Sequence, residues 1–474
     1  MELTAREIAR IAGGEMLAGD PDARVSSYAI DSRVLEPGDC FVALRGVRDG
    51  HDFLTDAFAK GAIVALVSEA VDAPVAGATL VRVAEPLAAL GALAGHARTL
   101  MADTTVVAIT GSAGKTATKD LTAAAVATSR RVHASPLSFN NESGLPLTVL
   151  SAPDNTEVLI AEMGARFAGN IAALVEIARP QVGVITHVGM AHAEHLGGRE
   201  GIAREKGELV EALPASGLAV LNAACDASAD LATRTAARVL RVGRAPDADI
   251  VVRDVVLDDE LRARFVLETP WGRAPVALAL LGEHQVENAA MAAAVALELG
   301  ASLEAVVSGL EVTQTASLRM EMVRTATGVV VINDAYNSSP TSAAAAIRSF
   351  AHLRVTGRRL AVLGPMLELG SHAAEEHEAL GALAAATGID VLVAVGEGAE
   401  HIVEGARGAG ARGSAAGGAP RRGSGVSVVT MPDAAAATGY LIDEVRFGDA
   451  VLVKASRAVG LEAVADALVR GASA

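Results

Sequence analysis

The stretch VVAITGSAGKTATKD, Val106 to Asp120, runs from an apolar strand through a glycine turn into a helix start. A phosphate-cradling loop of the G-x-x-x-x-G-K-[ST] kind ends in the same way, and Gly114, Lys115 and Thr116 fit that end. The place of the first glycine is held by Ile109, and the nearest upstream glycine is Gly111. Two readings stand side by side. In one, Gly111, Ser112, Ala113 and Gly114 turn backbone N–H groups toward an anion at a helix N-terminus. Lys115 then faces the phosphates, and the Thr116 hydroxyl faces Mg²⁺. In the other, the stretch is an ordinary strand–turn–helix with a surface lysine.

Outward from this stretch the pattern repeats. TEVLIAEMG and QVGVITHVG read as further strands that end in polar residues, and TKDLTAAAVATS reads as a helix. RRLAVLG, DVLVAVG and GDAVLVKAS continue the alternation after position 323. Strands alternating with helices predict an α/β protein with parallel sheets and sites at the strand carboxyl ends. The first 100 residues mix shorter pieces: DCFVAL and AIVALV read as strands, and HDFLTDAFAKGA reads as a helix. With 474 residues, about three domains are expected. The boundaries fall at 1–100, 101–322 and 323–474. The run RGAGARGSAAGGAPRRGSG, residues 407–425, has no apolar period and reads as a disordered surface insertion.

Composition narrows the function classes. Aromatics are 3% of a chain that is 51% apolar, so its cores must be aliphatic. A net charge of −16 argues against nucleic-acid binding, which needs a basic face, but leaves room for a small anion in a local pocket. The two cysteines, Cys40 and Cys225, suggest no disulfide framework. The charged start MELTAREIARIAGGEML is unlike a signal peptide, and no uncharged apolar run reaches the ~18 residues of a membrane span. A soluble, cytoplasmic protein is expected.

Four further clusters carry candidate chemistry. Glu162 ends one strand and His192 follows another, and a carboxylate beside a phosphate loop suits Mg²⁺. The glycine-bounded loop reading of GMAHAEHLGG weighs against zinc at His187, His192 and His195. Lys206, in REKGEL, sits on an expected helix among charges, where a lysine is ordinarily solvated. Asp334, Tyr336 and Asn337 follow the strand GVVVI; Asp334 suits a ribose hydroxyl, or the segment is simply a capped turn. Lys454 and Arg457, in VLVKASR, lie just beyond a strand, where they bind an anion or mark a helix start.

The order of these segments resembles the Mur ligase family of ATP-dependent amide-bond ligases. TGSAGKT, NNESGLP, EMGA, THVGMAH, AREKGEL, GEHQVENAAMA, LRME, NDAYNSSP, LGPMLELG and VLVKASR carry the resemblance across nearly the whole chain. It implies a small UDP-binding domain, a central phosphate-loop ATPase domain and a C-terminal Rossmann-like domain. EMGA, NDAYNSSP, LGPMLELG and the early DSRVLEPGDCFVALRGVRDGHDF are similar to the branch that joins D-alanyl-D-alanine to UDP-N-acetylmuramoyl-tripeptide in peptidoglycan synthesis. Carried over by position, the resemblance assigns Lys115 and Thr116 to phosphate and one or two Mg²⁺, and Glu162 and His192 to the metal. Asn288 falls to adenine, with Arg319 and Asp334 near the ATP phosphates and ribose. Lys206 becomes a carbamylated metal bridge. Ser32, Arg33 and His51 fall to the uridine nucleotide. Asn140, Asn141, Tyr336, Asn337, Lys454, Ser456 and Arg457 fall to the peptide and amine substrates. A monomer is expected.

The chain departs from the family pattern in places. PLSFNN replaces an Asn-rich run, Pro365 stands where Asp is common, Ala455 where Gly is common, and His187 where Asn is often found. Alternatives are a sister ligase that adds the third peptide residue, a folylpolyglutamate synthetase, or a phosphate-loop switch without ligase activity.

Overall fold

The computed structural model describes residues 2–73, 75–314, 317–410, 412–413 and 425–471. It contains three large sheets. In the nine-stranded central sheet Thr105–Thr110 is the third strand from one edge, between Val158–Glu162 and Val182–Ile185, both parallel to it. Beyond Val182–Ile185 follow Leu218–Asn222, Arg238–Gly243 and Ile250–Leu257, still parallel. Arg262–Thr269 and Gly272–Leu281 close that edge as antiparallel strands.

The strand Val106–Thr110 is buried on both faces, as a parallel strand between helical layers should be. Its side chains alternate between two cores. Val106 and Ala108 join a cluster with Leu90, Leu93, Leu145, Ile171 and Leu174. Val107 and Ile109 join another with Leu121, Ala125, Met291 and Val295. Ile109 is therefore a core residue paired in register with Glu162 and Val184, which explains why no glycine stands there. Nearly every position of the alanine-rich helix Gln285–Glu298 is buried, so small side chains let it pack closely where aromatics are scarce.

The N-terminal sheet runs Glu15–Ala18, Thr79–Arg82, Val64–Val67, Asp39–Val42 and Ser27–Ala29; all but the first pair are parallel. The stretch expected as one helix there begins as a 3-10 turn at Gly50–Phe53 and continues as Leu54–Ala59. Helix Pro86–Leu100 lies against Gly144–Leu150 and Asn170–Ala178 of the central unit. Its buried Arg98 donates to the carbonyls of Ala178 and Met101.

The C-terminal sheet runs Glu321–Arg324, Val330–Asn333, Ala450–Lys454, Arg359–Leu363, Val391–Val395, Ser427–Met431 and Arg412–Gly413, parallel after its first pair. Of the expected 407–425 insertion, Arg407 and Gly408 end a helix, and Arg412–Gly413 pair with Ser427 and Val428. Residues 411 and 414–424 lie outside the described residues. No helix among the described residues is long and apolar enough to cross a membrane.

Candidate active site

The carboxyl ends of the central and C-terminal strands face one cleft of about 710 Å³. The glycine turn forms its floor. Gly111 has φ +152°, and a Cβ there would lie 1.9 Å from Thr186 Oγ1. Gly114 has φ +83°, and a Cβ there would lie 2.6 Å from Asn288 Oδ1. Both glycines are thus required by conformation and by close approach. The turn is tied to the next strand end: Ser112 N donates to His187 O at 2.8 Å, and Gly189 N donates to Ser112 Oγ at 2.9 Å. Helix Lys115–Ala127 starts directly behind it with no side-chain cap, so its first N–H groups point into the cleft.

Lys115 Nζ donates to Gly111 O at 2.8 Å, which folds the side chain over the turn. Burial lowers its pKa; Glu162 opposes that shift and Arg319 adds to it. Thr116 Oγ1 donates to Glu162 Oε2 at 2.8 Å, and Asn140 Nδ2 donates to Glu162 Oε1 at 2.8 Å. Each oxygen of this 1% exposed carboxylate has a partner, which is how a buried anion is kept. Ser138 joins the group, 3.4 Å from Thr116 Oγ1 and accepting from Arg319 Nη2 at 3.2 Å. Arg319 also lies over the Tyr336 ring, 4.1 Å from its centroid. Across the cleft, Lys454 Nζ donates to Asp334 Oδ2 at 2.7 Å and to Asn337 O at 3.0 Å. Asp334 Oδ1 accepts from Met320 N at 3.1 Å, which links the turn to the segment that carries Arg319.

His192 lines the cleft with a left-handed backbone, φ +60°. The stretch after it is a short helix, Ala193–Leu196, where the sequence suggested a loop. Its Nδ1 contacts Glu368 Oε2, and Arg166 Nη2 reaches Glu368 Oε1 at 2.6 Å. Burial pulls the His192 pKa below the ordinary range, against the pull of Glu368. Lys206, on helix Gly198–Glu211, is 2% exposed, and its side chain has no hydrogen bond or ion pair among the described residues. Burial first, then Lys115, bring its pKa down to about 7. Its neighbour Glu205 accepts from Gly169 N and Ile171 N, capping helix Asn170–Ala178.

The structure therefore gathers Ser112, Ala113, Gly114, Lys115, Thr116, Asn140, Asn141, Glu162, His192, Asn288, Arg319, Asp334, Tyr336, Asn337 and Lys454 around one cleft. Buried Ser456 sits just behind, its Oγ accepting from Leu367 N at 2.9 Å. Exposed Arg457 is paired with Glu462. Ser32 and Arg33 lie in the turn after Ser27–Ala29 and His51 in the 3-10 turn Gly50–Phe53, all in the N-terminal unit, and none lines this cleft. Arg33 holds the Asp31 carboxyl down to about 2. The His51 ring is tied between Asp49 Oδ1 at 2.5 Å and Ser68 N at 2.9 Å. Sequence reasoning missed Ser138, Arg166, Glu368 and Gln285. Gln285 Oε1 accepts from Asn288 Nδ2 at 2.9 Å, and its only sequence signal was the i, i+3 spacing on a helix.

The donor set suits a nucleotide triphosphate with a hard cation: a backbone nest, a lysine, a hydroxyl, a carboxylate and a histidine. One buried polar atom of the lining, His284 Nδ1, has no partner, as expected where a polar ligand completes the site.

Comparison with known proteins agrees with this layout. Family models match in three consecutive blocks: the Mur ligase family catalytic domain at 24–98, the Mur ligase middle domain at 109–296 and the Mur ligase glutamate ligase domain at 318–457. The UDP-N-acetylmuramoyl-tripeptide–D-alanyl-D-alanine ligase of Mycobacterium tuberculosis is 45% identical, with 99% of this chain and 98% of that protein covered. The Escherichia coli protein of the same name is 32% identical over 86% of this chain and 89% of its own. Among solved structures, MurF from Acinetobacter baumannii superposes with TM-score 0.87 at 30% identity, covering 99% of both chains. MurF ligase from Thermotoga maritima, solved in complex with ADP, gives 0.78 at 28% identity over 95% and 98%. With three matched blocks and 45% identity over its full length, this chain belongs to the Mur ligase family.

Proposed function

We propose that the protein joins D-alanyl-D-alanine to UDP-N-acetylmuramoyl-tripeptide at the cost of ATP, in peptidoglycan precursor synthesis. The observation that carries this reading is the single cleft shared by the glycine turn, Glu162, His192, Asp334 and Lys454, in a chain 45% identical to a ligase of that name. A carboxylate is a poor electrophile. The terminal carboxylate of the tripeptide therefore attacks the γ-phosphorus of ATP, and ADP leaves. The neutral amine of D-alanyl-D-alanine then attacks the acyl phosphate carbon, an amide C–N bond forms, and inorganic phosphate departs with the oxygen it gained and takes up the proton the amine loses.

Both steps crowd negative charge, so the protein's contribution is positioning and electrostatics. Lys115 and the N–H groups of residues 113–116 hold the β- and γ-phosphates. Asn288 and Asp334 orient adenine and ribose, with Arg319 toward the phosphates. Thr116, Glu162 and His192 hold one or two Mg²⁺, which when bound offset charge on the transferring phosphoryl group. The amine nucleophile has a reference pKa of about 8, so about a tenth is neutral at pH 7, a cost of about 1.4 kcal/mol. No dedicated strong base is required. Asn140, Asn141, Tyr336, Asn337 and Lys454 face the peptide and the incoming dipeptide, with Ser456 and Arg457 beside them outside the cleft lining, and Ser32, Arg33 and His51 serve the uridine nucleotide.

We further infer that Lys206 is carbamylated. Carbamylation needs the neutral amine, and burial without a partner supplies it near neutral pH. The neutral amine adds CO₂ and releases one proton, and the resulting carbamate is an anion that would assist a bound Mg²⁺. The protein acts as a cytoplasmic monomer. One assay tests the main reading: ADP release with the UDP-tripeptide, with and without D-alanyl-D-alanine. Turnover should require both. Turnover with a single amino acid or with glutamate in place of the dipeptide would reassign the acceptor.

A further inference from the structure

His192 and Glu368 stand 176 residues apart, and both have left-handed backbones, at φ +60° and +62°. Such a conformation costs a non-glycine residue roughly 1–2 kcal/mol, so each is held in place by its surroundings. The surroundings belong to different sheets. The stretch leading to His192 is fastened to the phosphate turn through His187 and Gly189. The loop carrying Glu368 is fastened within the C-terminal unit: Met366 N donates to His377 Nε2 at 2.7 Å and Leu367 N to Ser456 Oγ. Glu368 then crosses to the central unit three times, through His192 Nδ1, Arg166 Nη2 and its own carbonyl, which accepts from Glu194 N at 3.1 Å.

A carboxylate on one ring nitrogen dictates what the other can do. With Nδ1–H donated to Glu368, Nε2 keeps its lone pair, and no other hydrogen bond fixes the ring among the described residues. Metal-binding histidines ordinarily have such a partner, but here it arrives from another sheet unit. We propose that Glu368, reaching across from the C-terminal unit, is a positioning residue that sets the tautomer and ring orientation of His192 and so completes the metal site. The proposal rests on the reading of His192 as a metal-binding group.

The first test needs no metal. Histidine-selective ¹⁵N NMR of the metal-free full chain, at about pH 8 where an ordinary imidazole is neutral, reports the His192 tautomer. The wild type should show Nδ1–H with a bare Nε2. Glu368→Gln and Glu368→Ala should shift His192 toward a tautomer mixture, and Arg166→Ala should not. The second test is Mn²⁺ binding with ADP, where Glu368→Ala should weaken affinity by about 10–100-fold, with kcat falling alongside. KM for the UDP-tripeptide should stay within about threefold, because uniform substrate binding is not what is lost. An unchanged tautomer and unchanged Mn²⁺ affinity in Glu368→Ala would overturn the proposal. His192→Ala separates the two ideas. If it binds Mn²⁺ and turns over normally, the metal role of His192 fails, whatever the tautomer shift in Glu368→Ala shows about the contact.

Discussion

Helix Lys115–Ala127 and helix Gly198–Glu211 each bury a lysine, and they keep it in opposite ways. Lys119 is 3% exposed and fully engaged: its Nζ donates to Ser135 O at 2.7 Å and Leu137 O at 2.8 Å, and Asp120 lies 3.0 Å away. Lys206 is 2% exposed and has no such partner. The first lysine is a staple for the loop that presents Ser138 and Asn140. The second is a buried amine with no compensating partner. Burial alone does not mark a functional lysine. Burial without compensation does, because the protein must neutralise the group or use it.

The largest expected effect tests the second half of that contrast. Lys206→Ala should lower kcat by about 10²–10³-fold, the size of a lost electrostatic partner at a reacting phosphoryl group. Its melting temperature should not fall. Full activity at ambient CO₂ would end the proposed role for Lys206. Lys119→Met is the mirror experiment. It leaves the buried Ser135 carbonyl and the partly buried Leu137 carbonyl without their donor and should cost about 1–3 kcal/mol in a urea titration. A neutral result would mean that water takes over the staple.

A pH series sharpens the comparison further. The folded pKa of Lys206, about 7, lies below the unfolded value of about 10.4. Between these the unfolded chain binds more protons, so this lysine makes stability rise with pH across that window. In CO₂-free buffer, Lys206→Met should therefore exceed the wild type most at pH 7 and lose that lead toward pH 10. Parallel curves for the two proteins would show that Lys206 is not buried unpaired. The smallest effect is the baseline. Arg33→Ala removes an exposed pair with Asp31, and denaturation should register no more than about 0.5 kcal/mol.

The parts of the site that are local in sequence were legible. The strand before the glycine turn, the helix after it, and the strands that deliver Glu162, Asp334 and Lys454 follow from apolar runs bounded by turn residues. The isoleucine at 109, where a phosphate loop would carry its first glycine, became intelligible once Ile109 proved to be a core residue in register with Glu162. Two kinds of feature escaped. The antiparallel strands Arg262–Thr269 and Gly272–Leu281 sit at a sheet edge with one face toward solvent, so they lack the continuous apolar run that marks the buried strands. Contacts between distant segments, such as Glu368 with His192 or Arg319 with Ser138, leave no trace in local spacing. Lys206 is the sharpest case. Its charged neighbours read as a solvated face, yet Glu205 points its charge into the cap of another helix and leaves the lysine enclosed.

The helix Pro86–Leu100 bears on how this chain can be divided. Its Leu90, Leu93 and Ala97 share one core with Leu145, Ile171 and Leu174 of the central unit. A fragment begun at residue 101 would not be a free-standing nucleotide module. It would carry half a core open to water and would seek any apolar surface to cover it, so a soluble excised ATPase needs this helix left on, with Arg98 still anchored to Ala178.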